Sequence, residues 1–406
     1  MKQLPQLSVV SPLPPSHSGI ADYTAEQLPY LAKHFAIDVL VDDASQAEYR
    51  APANVTVSRF DAEAFRASLF GRPILYHVGN NIWHEYVLKA ALQKPGFVVL
   101  HDFVLHHLIV EMTLAKNDPK GYRDFLEYDY GDVGRTLADQ RENYAFTSLQ
   151  EFLLPLNGKV LDASKGAIVH SRWAQRQLND LRPGLPVAYV PHHFYAGDLP
   201  RLSASREEAR RKLGLPPDAL IFLCIGHITP PKQVELVAKA LGRIKDQLPP
   251  FMLLLVGEAS DPEGLQKVLK QAGIANRTRL TGRVQLDAFQ EAIIASDLVC
   301  NLRYPTAGES SGTLTRALGI GRCCVIFDYA SFSDYGSDIC LKVPLDTFDP
   351  APLANALLAA AKSPEMRTKM AEAAKAWVRR ECAIGRCAQA YADFIERQEA
   401  VLANAH

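Results

Sequence analysis

Short apolar runs bounded by Pro, Gly, Asn or Asp alternate along this chain with stretches whose apolar positions return every three to four residues. The first pattern predicts buried strands and the second amphipathic helices. In the first half the runs at 7–13, 37–41, 55–60, 74–78, 97–101, 167–170 and 187–190 predict strands, with helical patterns between them, notably at 20–33 and 86–92. A second series predicts strands at 220–225, 252–256, 279–284, 298–302, 324–327 and 339–343, separated by helices such as 234–244. From Pro352 the pattern is helical to the end, with a final segment at 386–403.

Such alternation predicts parallel sheets with helices on both faces. The fold class is α/β, with two doubly wound, Rossmann-like domains in tandem. The Pro-containing, charged stretch 195–218 is the natural linker, so the expected domains are 1–195 and 196–385, followed by a C-terminal helix, 386–406. Residues 105–165 are more helical and rich in Tyr and charge, and predict a helical insertion in the first domain. Ligands of doubly wound sheets bind beyond the carboxyl ends of the strands, so the expected site is a cleft faced by both domains.

Composition narrows the function classes. The formal net charge is −1, with 48% hydrophobic and 22% charged residues, which disfavours a broad nucleic-acid surface. No apolar run approaches the roughly 20 residues that span a bilayer. The N-terminus lacks a basic-then-apolar leader pattern. The seven cysteines are odd in number, lie in the second half and mostly sit in apolar runs, the pattern of reduced thiols in a cytoplasmic protein.

The segment Pro305-Thr306-Ala307-Gly308-Glu309-Ser310-Ser311-Gly312-Thr313 lies between a predicted strand and a predicted helix. Small residues there let free backbone N–H groups approach an anion, aided by the helix dipole. Glu309 would repel a phosphate, so its natural partner is a hydroxyl-rich group. Anion nest and hydroxyl acceptor together suggest a sugar diphosphate. Lys232 opens a helix, where the dipole disfavours a cation unless an anion is bound.

Other candidates also follow strands. Gly19 lets the backbone approach a ligand, or Ser18 simply caps the helix. His101 stands at a strand end, and Asp102 either caps the next helix or orients the imidazole. His77, in the fourth strand run, is a weaker candidate. Gly257, Gly282 and Arg283 either line a base pocket or form plain turns; Arg283 suits ring stacking or phosphate. His192-His193 marks the domain junction, without the further ligands a metal site needs.

Taken in order, Ser11-Pro12-Leu13-Pro14-Pro15 with Ser18-Gly19-Ile20-Ala21-Asp22-Tyr23, Gly226 to Lys232, Leu255-Val256-Gly257, Thr281-Gly282-Arg283-Val284, Ala295-Ser296-Asp297 and Glu309-Ser310-Ser311-Gly312 resemble landmarks of retaining GT-B glycosyltransferases of the family 4 (group 1) type. The resemblance covers essentially the whole chain. It implies a GT-B fold whose C-terminal helix returns to the N-terminal domain. It implies metal-independent, retaining transfer of a hexose from a GDP- or UDP-linked donor, with no cofactor, to a saccharide or lipid-linked saccharide in polysaccharide or glycoconjugate synthesis. The implied location is cytoplasmic, at the inner membrane face for lipid-linked acceptors.

By position, Glu309 would bind donor sugar hydroxyls, Lys232 would neutralise the leaving diphosphate, and Ser311, Gly312 and Thr313 would hold phosphate oxygens. Gly19 would close the other side of the diphosphate, and His101 would contact the sugar. Two departures stand out. His227 occupies the place of the family's arginine, for which Arg283 or Arg316 would compensate. Where the second acid of the E-x7-E motif belongs, the chain has Arg316 and Ala317. A sugar-nucleotide epimerase of the same architecture and a non-catalytic nucleotide-sugar or glycan binder remain alternatives.

Overall fold

The apolar runs form parallel strands in two separate sheets, each belonging to its own compact unit. The computed structural model describes residues 4–404, apart from 17, 44, 45, 47, 69, 70, 198, 200 and 201 and the side chain of residue 68. Unit 1 takes the chain as far as Pro191, the short segment Ala307–Ser310, and everything from Ile384 onward. Unit 2 takes His192–Thr306 and Ser311–Ala383.

In unit 1 the strands β1 (Gln6–Val10), β2 (Ala36–Val41), β3 (Val55–Arg59), β4 (Ile74–Val78), β5 (Phe97–Leu100), β6 (Gly166–Val169) and β7 (Val187–Tyr189) lie in the order β3-β2-β1-β4-β5-β6-β7. The order reverses between β1 and β4, the switch point of a doubly wound sheet. Its helices are α1 (Gly19–Leu31), α2 (Ala62–Ser68), α3 (Glu85–Gln93), α4 (His106–Met112), α5 (Pro119–Glu142), α6 (Gln150–Leu153), α7 (Gly158–Asp162) and α8 (Arg172–Leu181). Ser18 and Ser171 cap α1 and α8, each accepting a backbone N–H of the first turn.

The stretch between β5 and β6 holds helices joined by loops, with no strand, and contains a reversal that periodicity conceals. Gly131, at φ 57 and ψ −133, breaks α5 into two halves. A Cβ placed on Gly134 would lie 2.0 Å from the carbonyl oxygen of Leu126. In a straight helix, residues eight apart are separated by about 12 Å. The halves therefore fold back on each other, tied by ion pairs from Arg123 to Asp139 and from Arg135 to Glu127.

In unit 2, β8 (Leu220–Ile225), β9 (Phe251–Val256), β10 (Thr278–Leu280), β11 (Leu298–Cys300), β12 (Cys323–Phe327) and β13 (Leu341–Val343) lie in the order β10-β9-β8-β11-β12-β13. The switch point is between β8 and β11. The helices are α9 (Arg206–Leu213), α10 (Val234–Ile244), α11 (Pro262–Gln271), α12 (Leu286–Ala295), α13 (Gly312–Ile320), α14 (Ala351–Lys362) and α15 (Pro364–Glu381). Buried Asp297 fastens the two central strands: it accepts from the Ile221 N–H (2.7 Å) and the Arg210 guanidinium (2.6 Å), and also pairs with Arg206. The Ala295-Ser296-Asp297 landmark is thus a structural brace.

The last helix, α16 (Ile384–Asn404), belongs to unit 1. It packs on α1 and buries Tyr391, Phe394 and Ile395 in the core beneath that face of the sheet.

Candidate functional site

In unit 2 the candidate residues gather at the switch point. Gly226 follows β8 with φ +97, and a Cβ there would lie 2.3 Å from the Lys232 ammonium and 4.0 Å from the Thr313 hydroxyl. Only glycine leaves room for the cation, which also donates to the Ile225 carbonyl (3.1 Å). The Lys232 turn is anchored to the loop after β11: Tyr304 N–H donates to the Pro231 carbonyl (2.8 Å), and the Gln233 amide to the Tyr304 carbonyl (2.7 Å). Lys232 is thereby held next to the first turn of α13.

Ser311 caps α13, accepting from Leu314 N–H and donating to the Asn301 amide oxygen, each at 3.1 Å. Gly312 and Thr313 then head the helix, where N–H groups have no intrahelical partner. The ring Nε2 of His192 lies 3.0 Å from where a Cβ on Gly312 would be, so a side chain there would press on the imidazole. A fixed cation, a hydroxyl and a helix N-terminus thus converge, an arrangement suited to phosphate oxygens.

The remaining donor-side candidates are more dispersed. His227 is exposed. Gly257, at φ +136, packs so tightly on the Gly226 carbonyl that a Cβ would lie 2.2 Å from its oxygen, and its N–H donates to the Gly282 carbonyl (3.0 Å). Arg283 is exposed beyond the edge strand β10, two strands from β8 and so about 10 Å away. Arg316 is half-buried, one turn along α13 from Gly312 and Thr313, whereas Ala317 is fully buried. Neither position offers a carboxylate.

Unit 1 holds Gly19, His101 and Glu309. Gly19 is exposed with open space around its Cβ position. The preceding Ser18 donates its hydroxyl to Nε2 of His84 (3.2 Å), whose Nδ1–H donates to the His77 carbonyl (2.8 Å). Burial pushes the His84 imidazole down to about 4, so it is neutral at pH 7.

Glu309 is delivered to the end of β5. Val104 N–H donates to the Ala307 carbonyl (2.8 Å), and Gly308, at φ +72, lies so close to Phe103 and Trp173 that a Cβ would come within 2.6 Å of each. There Glu309 acts electrostatically on Asp102. Burial, and then Glu309, push the Asp102 carboxyl up to about 7, partly offset by the Asn80 N–H it accepts at 2.8 Å. Asp102 does not cap a helix, since α4 begins after Leu105 with no side-chain cap.

His101 is buried and bonded at both ring nitrogens: Nε2 to His77 Nδ1 (3.0 Å) and Nδ1 to His170 Nε2 (3.2 Å). The three rings stand at the ends of the neighbouring strands β4, β5 and β6, with the Tyr23 ring against all of them. Sequence reasoning gives His77 little weight and passes over His170. The available signal is repetition: His101 and His170 each follow an apolar strand directly, as Phe97-Val98-Val99-Leu100-His101 and Gly166-Ala167-Ile168-Val169-His170.

Of the aromatic residues between β5 and β6, Tyr122 and Phe125 are core, Tyr130 is partly buried, and Tyr128, Tyr144 and Phe146 are exposed. Among the described residues, no helix is long and apolar enough to cross a membrane.

Residues 205–377 match the family model described as glycosyl transferases group 1. The D-inositol 3-phosphate glycosyltransferase of Streptomyces coelicolor is 34% identical over 164 residues, which are 37% of this chain and 32% of that protein. The glycogen synthase of Anaeromyxobacter dehalogenans is 25% identical over 252 residues, 56% of this chain and 51% of that one. The chain thus spans about a third to a half of the length of these curated relatives. Among solved structures, the sucrose-phosphate synthase of Thermosynechococcus elongatus superposes with a TM-score of 0.71 at 15% identity, covering 98% of this chain and 100% of that one. Anabaena HepE in complex with UDP and glucose gives 0.67 at 13% identity, covering 97% and 100%. Residues 205–377 are thus similar to the group 1 glycosyl transferases, and the two Rossmann-like units have the GT-B fold.

Proposed function

We propose that this protein transfers a hexose from a nucleoside diphosphate hexose to a saccharide or lipid-linked saccharide acceptor, with retention at the anomeric carbon. The observation that carries this reading is the placement of Lys232 beside Gly226, Thr313 and the open first turn of α13. At the transition state the leaving diphosphate gains negative charge. Donors already in place stabilise that charge without reorganising. Lys232 and the α13 turn supply it, so the reading requires no metal ion.

The sugar hydroxyls fall to Glu309 and the end of β5, where His101 stands. The acceptor hydroxyl bonds to the anomeric carbon, the carbon–phosphate oxygen bond breaks, and the departing diphosphate takes the hydroxyl proton. The structural neighbour HepE is seen with UDP and glucose, which favours a UDP-hexose as the first donor to try. Exposed Tyr128, Tyr144 and Phe146 offer faces on which an acceptor sugar can stack.

Screening UDP-, GDP-, ADP- and dTDP-sugars by thermal shift tests the reading, because a ligand of the native state raises its apparent stability. Stabilisation by one donor class, followed by sugar transfer only when an acceptor is added, is the expected result. Turnover of donor alone into an epimer would replace it with the epimerase reading. The missing second acid at Arg316–Ala317 favours a non-catalytic binder as the second reading, which predicts binding without turnover.

A further inference from the structure

We propose that Asn301 is a positioning residue that sets the first turn of α13, where the diphosphate is held, through the Ser311 cap. The proposal rests on the donor reading above, which assigns the diphosphate to that turn. Its basis is a buried amide for which the sheet itself has no use.

The strand β11 is apolar, Leu298-Val299-Cys300, and the chain is apolar again at Leu302. Asn301 interrupts that run while still bound to the sheet, its N–H donating to the Val325 carbonyl of β12 (2.9 Å). The residue is only 3% exposed. Its Oδ1 accepts the Ser311 hydroxyl at 3.1 Å, while its Nδ2 is buried with no partner among the described residues. A buried amide left half unpaired lowers stability, where an apolar side chain in the same strand would not. Such breaches of local rules concentrate at functional sites.

The use of this amide is seen in Ser311. A hydroxyl carries one proton, and Asn301 takes it, which turns a lone pair of Ser311 Oγ to the Leu314 N–H (3.1 Å). The Ser311 carbonyl accepts from the Thr315 N–H (3.0 Å) and the Thr315 hydroxyl (3.3 Å). With its side chain and its carbonyl both fixed, Ser311 can neither swing away from the helix nor draw the N–H groups of Gly312 and Thr313 to itself. Those two groups stay open and point one way. The same loop also holds the cation. Tyr304, three residues past Asn301, is bonded through its N–H to the Pro231 carbonyl and through its own carbonyl to Gln233. The chain leaving β11 therefore sets both the helix end and the Lys232 turn, the preorganisation that an anion site needs.

The test uses the full chain and two probes, UDP and uridine, whose affinities differ by what the diphosphate adds. Asn301→Leu suits a buried strand and removes the amide. Asn301→Thr withdraws the acceptor by one bond, and provides the same comparison if the leucine variant does not fold. Ser311→Ala and the double variant Asn301→Leu/Ser311→Ala complete a cycle. We expect the gain of UDP over uridine, measured by calorimetry and ligand-observed NMR, to fall about tenfold in both Asn301 variants, the scale of one lost hydrogen bond, with uridine affinity unchanged. We expect the double variant to lose no more than Ser311→Ala alone. A merely structural role would lower the melting temperature and leave the gain as it is. A wild-type gain in the Asn301 variants, or losses that add in the double variant, overturns the positioning role while leaving the donor reading intact. Failure of the wild type to bind UDP, GDP, ADP or dTDP overturns the donor reading and, with it, this role.

Discussion

The hydroxyls of Tyr23 and Tyr391 share a hydrogen bond of 3.0 Å across 368 positions of sequence. Tyr23 is on α1 and Tyr391 on α16, so the end of the chain completes a core laid down at its beginning. Tyr391→Phe is expected to lower stability by about 1 kcal/mol, the net worth of one buried hydrogen bond. Deleting 384–406 removes seven buried residues, among them Tyr391, Phe394 and Ile395, which are each of the size that costs about 2–5 kcal/mol when truncated. That total rivals the whole stability of a domain. Circular dichroism and limited proteolysis should show unit 1 unfolded in the deletion.

Gly308 has no space for a side chain and sits in the left-handed region. Gly308→Ala must push on Phe103 and Trp173 and pull the Ala307–Ser310 segment from the end of β5. We expect loss of the sugar-dependent part of donor affinity with UDP affinity little changed, as measured by calorimetry with the two ligands.

Acid should weaken the fold through two buried histidines. Burial lowers both His84 and His106 to about 4 from an ordinary 6.5. The unfolded chain takes up these protons as pH falls below 6.5, while the folded chain resists until about 4. Their stabilisation is therefore complete above pH 6.5 and lost on the way down to 4, up to about 3 kcal/mol each. His106→Leu, compared with wild type by thermal melts at pH 7.5 and 4.5, should show a smaller drop between the two.

Asp102 works in the opposite direction. Its carboxyl is raised from an ordinary 3.8 to about 7, so stability is full below 3.8 and falls as pH rises to 7. Asp102→Asn keeps an acceptor for the Asn80 N–H and removes the charge. It should be more stable than wild type at pH 8, by as much as about 4 kcal/mol, and equal to it at pH 3.5. Equal melting temperatures at both pH values would show that Asp102 is not held in a low-dielectric site beside Glu309.

Much of the scaffold can be read from the chain, because a buried parallel strand is apolar along most of its length. The expected runs at 74–78, 220–225 and 324–327 correspond to strands at Ile74–Val78, Leu220–Ile225 and Cys323–Phe327. Lys232 does not open a helix as expected: it ends the short 3-10 turn Pro230–Lys232, and α10 begins at Val234. The histidine row is not legible, since it depends on β4, β5 and β6 being neighbours, which no local pattern states. Nor is the reversal at Gly131, where both halves of α5 keep helical periodicity. Asp102 looks like a cap because cap residues are recognised by sequence position, whereas its actual partner, the Asn80 N–H, comes from the loop after β4.

The central claim is that unit 2 grips the diphosphate of a nucleotide sugar through Lys232 and the first turn of α13. Calorimetric titration of wild type and Lys232→Ala with UDP and UDP-glucose addresses it most directly. We predict that wild type binds and that the variant loses on the order of 10²-fold in affinity, the scale of one removed charged donor. Equal affinity in the two proteins would contradict the account.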